Sequence, residues 1–311
     1  GKASTNLTFL PRATKAGALI QAETRVEEVL VEGGKVRGVA GVAIHPDTLE
    51  RGGRVEVRAE RVILSCGAIG TPRLLWHCGL APELGPVGEG LNVHPGSALL
   101  GLCDHEVYLW KGATQGAFFH HPDLPGVLPH SFTAPPEVCL SCMRTVGSDL
   151  ETGLEMLKHL CGLNVMVSDT GAGTVRAHPD GRADVRYTFH RDDLPRIREG
   201  MVAAAQVLLA GGATRLTAPI HGFGFHTNAE SVGEVLRGKS ITDYVTYSAH
   251  PMSTCRMGTD PEDSVVNSRG EVHRLEGLYI ADASVFPSSI GVNPQLTTMT
   301  VGTVIARQIL A

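Results

Sequence analysis

The aliphatic run Val62-Ile63-Leu64, closed by Ser65-Cys66-Gly67 and followed by a helical pattern, constrains this chain more than any other feature. A strand that does not alternate has to be covered on both faces, so these residues read as a buried strand within an α/β arrangement. After it, Thr71 reads as a helix N-cap with Pro72 at the first helical position; Leu74 and Leu75 follow, and Gly79 closes the helix. Strands are also expected upstream, at 18–23, 26–32, 35–44, 54–59 and 61–65. Gly33-Gly34 joins the second and third as a hairpin.

Residues 91–190 give an irregular pattern. Val185, Tyr187 and Phe189 alternate as a strand does. Asp192 or Asp193 then caps a helix to about Ala210, with Ile197, Met201, Ala204, Val207 and Leu208 on one face and Gly211-Gly212 at its end. Residues 248–258 read as a loop and 277–281 as a strand. The terminal helix starts at Pro294 with Asn293 as N-cap, and its free N–H groups carry about half a positive charge, a ready site for an anionic group. The chain begins Gly1-Lys2-Ala3-Ser4, leading into an extended segment, without an initiator Met or a signal-peptide pattern. It reads as the middle of a longer protein; a processed or tagged terminus is the other reading.

Apolar residues make up 42% and charged residues 19% of 311, which places the chain among globular proteins. A net charge of -5 argues against nucleic acid as a partner, because phosphate binding needs a basic face. The seven cysteines are odd in number and irregularly spaced, so a reducing compartment is favoured over a disulfide framework, and a cytoplasmic location with it. Cys139 and Cys142 form a lone CxxC with only His159 and Cys161 nearby. It is read as incidental, and no metal site is expected.

Three segments, in order, resemble the glucose–methanol–choline (GMC) family of FAD-dependent oxidoreductases. Val62 to Leu75 is similar to a family signature. Val87-Gly88-Glu89-Gly90-Leu91-Asn92-Val93-His94-Pro95 is similar to the family's VGxxLxxHP loop. The third is the closing stretch, with His250-Pro251-Met252-Ser253-Thr254-Cys255, then Ala281-Asp282-Ala283-Ser284, then Gly291-Val292-Asn293-Pro294-Gln295. Two departures stand out. Ser253 replaces a glycine, which matters only if the backbone needs a positive φ. The strand and GxGxxG that hold the FAD pyrophosphate in family members are absent; Gly171-Ala172-Gly173 lacks the third glycine.

The resemblance implies part of a Rossmann-like FAD-binding domain (1–95), a substrate-binding domain on a mostly antiparallel sheet with flanking helices (96–246), and a return to the FAD domain carrying the catalytic loop (247–311). It implies His250 as the base that removes an alcohol proton, Asn293 as a hydrogen-bond donor to the same oxygen, and FAD as hydride acceptor. It also implies cofactor contacts at Val26, Gly67, Ala68, His94, Asp282, Ala283, Pro294 and Gln295. The substrate expected is an apolar, long-chain or sterol-like alcohol, with oxygen or a redox carrier as electron acceptor. The alternative is a non-catalytic fragment or subunit that needs a complementary N-terminal FAD-binding chain.

Overall fold

The computed structural model describes residues 3–143, 147 and 149–310; the side chains of 141–143 and 149 lie outside that description. Residues 5–8 form turns, and the first element is a helix, α1 (Phe9–Lys15), with no buried side chain. The expected extended start is therefore corrected, although Gly1 and Lys2 lie outside the described residues. The strand expected at 18–23 is absent too. Its apolar residues are exposed, Leu19 almost completely, so no neighbour supports a ladder there.

An antiparallel sheet follows, in the order β1 (Thr24–Glu32), β2 (Lys35–Ile44), β3 (Arg51–Arg58). The β1–β2 turn is Gly33-Gly34 with φ of 59° and 74°. Both turn residues are left-handed, as a type I′ hairpin requires. β4 (Val62–Leu64) leads into α2 (Gly67–His77); Ile63 is exposed, so the strand is covered on one face and not on both as its aliphatic run suggests. The helix starts four residues before Thr71, so Thr71 is no cap. Its hydroxyl instead donates to Asp282 Oδ2 (2.6 Å) and accepts from the Cys66 N–H (3.1 Å). Pro72 thus lies inside the helix, and the Ala68 carbonyl it cannot serve accepts from Thr254 Oγ1 at 2.7 Å. Gly79, at φ 72°, ends the helix as expected.

The stretch that looked irregular holds most of a four-stranded sheet. After β5 (Glu89–Leu91) come β6 (Gly96–Cys103), β7 (Val127–Ser131), α3 (Pro136–Met143), α4 (Asp149–Leu157) and β8 (Leu160–Val167). β6 is buried along its whole length, which removes the alternation that would have marked it as a strand. β9 (Gly173–Ala177) pairs with β10 (Ala183–Arg186) on one side and with β5 on the other. α5 (Asp193–Ala210) follows. Asp192 precedes it without a capping bond, and Asp193 instead accepts from the Thr170 hydroxyl and N–H. β11 (Ala213–Thr217) completes the antiparallel sheet in the order β11-β6-β8-β7. α6 (Ala229–Arg237), capped by Asn228, packs on α5.

β12 (Leu278–Ile280) pairs in parallel with β4, in the register Leu278 to Val62 and Ile280 to Leu64. α7 (Gln295–Leu310) ends the chain. One core cluster joins β4, α2, β12, α7 and residues 252–286. A second lies between the antiparallel sheet and α5–α6. Among the described residues, no helix is long and apolar enough to cross a membrane.

Candidate active site

Parallel pairing of β4 and β12 brings their carboxyl ends together, and two expected residues meet there. The Gly67 N–H donates to Asp282 Oδ2 (2.9 Å), and Asp282 Oδ1 accepts from the Ser284 N–H (2.8 Å). Gly67 has φ 78°. A Cβ at Gly67 would meet nothing within 4 Å, so this crevice is open. Ala68 is buried directly beneath, and Ala283 accepts the Ser253 N–H at 3.1 Å. Val26 stands apart from His250. It lines a groove of about 300 Å³ with Ile63, Leu64, Cys66 and Leu74.

A second convergence lies where three loops meet. Asn92 and Met252 exchange backbone hydrogen bonds of 3.1 and 2.9 Å, which ties the His94 loop to the His250 loop. The His94 and His250 rings meet edge to face at 5.4 Å. The Gly291 N–H donates to His94 Nε2 (2.9 Å), so the ring proton of neutral His94 resides on Nδ1. That atom is buried and has no partner among the described residues. Asn293 Nδ2 lies 3.4 Å from His250 Nε2. The amide can only donate, so His250 Nε2 is its acceptor and carries no proton, and the two polar groups meet at one point. Pro294 and Gln295 follow at the entrance to α7, half-buried and exposed.

Burial pushes His94 down to about 4, assisted by repulsion from His250. Burial also lowers His250, and His130 adds to the effect. Both rings are therefore neutral at pH 7, and a neutral imidazole is the form that can accept a proton.

His94 and His250 line a cavity of about 450 Å³. Its walls are mostly apolar and include Leu100, Phe132, Met166 and Val245. Three residues the sequence reading did not select matter here. His130 and Asn164 are buried in the cavity wall and hydrogen-bond to each other at 3.0 Å. Asp169 is buried beside the loops and accepts from the Val93 N–H (2.9 Å), Tyr187 Oη (3.0 Å) and Ser289 Oγ (2.8 Å). The available signal was a polar residue within an apolar run: Asn164 interrupts Leu160–Val167, and Asp169 ends the same stretch. Cys139 is buried in the same cavity wall, while the Cys142 side chain lies outside the described residues. No cluster able to hold a metal occurs among the described residues.

Models of the family described as GMC oxidoreductase match residues 1–96 and 169–302. An uncharacterized GMC-type oxidoreductase of Mycobacterium tuberculosis is 33% identical over all of this chain and 48% of its own length. A long-chain-alcohol oxidase of Arabidopsis thaliana is 25% identical over 99% of the chain and 44% of its own length. The crystal structure of pyridoxine 4-oxidase from Mesorbium loti superposes with a TM-score of 0.65 at 21% identity, covering 92% of this chain and 57% of that one. The chain thus spans about half the length of these curated relatives. With two family models matched in order around the loops that carry His94, His250 and Asn293, the chain belongs to the GMC oxidoreductases, a family of FAD-dependent flavoproteins.

Proposed function

We propose that this chain carries the substrate side of an FAD-dependent oxidoreductase that oxidises the CH–OH group of an apolar alcohol. The observation that carries this reading is the His250–Asn293 pair at 3.4 Å, with His250 in the wall of the mostly apolar 450 Å³ cavity. His250 Nε2 takes the hydroxyl proton, and Asn293 Nδ2 donates to the same oxygen and fixes its direction. The apolar walls hold the carbon skeleton and keep water away from the ring nitrogens. A long-chain-alcohol oxidase among the relatives supports an alcohol of this kind.

The residues present fit FAD. Gly67 and Asp282 lie at the carboxyl ends of parallel strands, where open α/β sheets receive nucleotides, and Gly67 leaves that crevice open. Ala68 and Ala283 border it, and Val26 lines the adjoining groove. Pro294 and Gln295, at the positive end of α7, and His94, with its unpaired Nδ1–H, suit the polar edge of the flavin ring. When bound, FAD supplies the acceptor for the hydride of the carbinol carbon. Oxygen or a redox carrier is the second substrate. In this reading residues 1–95 and 247–311 serve the cofactor and 96–246 the alcohol.

A second reading is a subunit that works only with a complementary FAD-binding chain. It draws support from the exposed Ile63 in β4 and from the exposed Leu296 and Leu310 of α7. Replacing His250→Ala tests the first reading. Alcohol turnover is expected to fall by about 10²–10⁴-fold with flavin content unchanged. Unchanged turnover rules out His250 as the base.

A further inference from the structure

β7 and β8 run antiparallel with His130 opposite Asn164, and Ala98 of β6 faces Asn164 from the other side. Side chains alternate across a sheet, so Ala98, Leu100, His130, Phe132, Asn164 and Met166 share one face, and all line the 450 Å³ cavity. Among these six, His130 and Asn164 are the polar residues. They are 4% and 5% exposed, so neither is a solvated surface group.

The hydrogen bonds fix the orientation of both side chains. His130 Nδ1 lies 3.0 Å from the Ser131 carbonyl, which can only accept, so the ring proton is on Nδ1. Nε2 is then an acceptor, and Asn164 Nδ2 donates to it at 3.0 Å. The amide oxygen is therefore turned away from the ring. Asn164 Oδ1 is buried with no donor within reach among the described residues. A buried amide oxygen without a donor is costly, and a sheet face that only needed packing would carry an aliphatic residue there.

We infer that Asn164 Oδ1, held by His130, receives a hydroxyl or N–H group of the substrate separate from the carbinol held by His250 and Asn293. The substrate class is then an alcohol with an apolar body and a second hydrogen-bond donor. Asn164 is a specificity residue and His130 a positioning residue, which presents the amide with its oxygen free. This inference rests on the cavity being the alcohol site.

A series of α,ω-diols from four to ten carbons, each matched to the 1-alkanol of equal length, provides the test. Equilibrium binding to the purified protein is measured by calorimetry, and kcat/KM is measured beside it. In a wholly apolar cavity the second hydroxyl weakens binding at every length. With Asn164 as acceptor, at least one diol binds as tightly as its alkanol or more tightly, and Asn164→Leu lowers that diol's relative affinity by tenfold or more. His130→Phe, which frees the amide to rotate, lowers it in part. Alkanols binding more tightly at every length in the unmutated protein overturn the inference even if the variants fail to fold. So does an unchanged diol-to-alkanol ratio in folded Asn164→Leu. Diol-selective binding without oxidation of any alcohol supports the role of Asn164 and counts against the alcohol oxidoreductase reading. Oxidation of alkanols without diol selectivity does the reverse.

Discussion

His94 and Ser253 occupy left-handed backbone conformations, with φ of 53° and 72°. Such a conformation costs roughly 1–2 kcal/mol for a residue with a Cβ, and it persists where surrounding contacts over-determine it. For His94 those contacts are the Gly291 N–H on its ring and Asp169 on its own N–H. For Ser253 the strain answers the condition set by the sequence: the family's glycine position does have a positive φ here, and Ser253 tolerates it with its hydroxyl unpaired. The buried His94 ring also makes stability depend on pH. Its folded value near 4 lies below the 6.5 of an exposed histidine, so the unfolded chain takes up the proton first. Stability is full above pH 6.5, declines as pH falls toward 4 and is constant below. The total is about 3 kcal/mol for a shift of this size. His250 and His130 are lowered as well and act in the same direction. Urea unfolding at pH 7, 5.5 and 4.5 should show a declining midpoint, with a shallower decline in His94→Gln. Equal slopes in the two proteins would exclude the ring as the source.

At the scale of elements, α2 packs into the first core cluster and ties it to the residues that flank β12. Its first turn is fastened by Asp282, through the Gly67 N–H and the Thr71 hydroxyl, and by Thr254 through the Ala68 carbonyl. The last bond answers a vacancy that Pro72 creates, because a proline has no N–H for the carbonyl four residues back. Thr254 is fully buried, so no water can replace its hydroxyl. Thr254→Val keeps the shape and removes the donor. It should cost about 1–3 kcal/mol, the penalty of a buried unpaired carbonyl. Thermal denaturation reads this directly, and an unchanged midpoint would mean that the helix start shifts to satisfy Ala68 in another way. The sequence identified this helix and its glycine stop. It misplaced the start, because Thr-Pro is a normal cap signal and the tertiary partners of Thr71 and Ala68 are some two hundred positions away.

For the whole molecule, Asp169 links segments that do not otherwise touch in sequence. It follows β8 of the antiparallel sheet and binds the His94 loop through the Val93 and His94 N–H groups. It also binds Ser289, two residues before Gly291, and Tyr187 beyond β10. The cavity wall and the loops that carry His94 and Gly291 are thus fixed in relation to each other by one buried carboxylate, which makes it a positioning residue. Asp169→Asn turns one acceptor oxygen into a donor and opposes at least one of these N–H or O–H groups. Turnover should fall by tenfold or more at unchanged far-UV circular dichroism, and loosening of the His94 loop should lessen the burial of His250, read as a raised His250 pKa in the pH–rate profile. Full turnover with an unshifted profile would leave Asp169 a merely structural role.

Local pattern alone determined the β1–β2 hairpin, the β4 strand with its following helix, α5, β12 and α7, since each depends on nearby turn residues or on periodicity that burial of one face preserves. His250, Asn293, Gly67 and Asp282 were singled out by the family resemblance rather than by periodicity or turn chemistry, and the fold brings His250 against Asn293 and Gly67 against Asp282. Tertiary structure decided what pairs over distance. It buried β6 and β8 on both faces, which erased their alternation, and it brought together His130 and Asn164, on strands whose register no local pattern specifies, and Asp169, just beyond β8. A lone buried polar residue acquires its role only from the group placed opposite it, and that placement is made by sheet pairing and packing rather than by its neighbours along the chain.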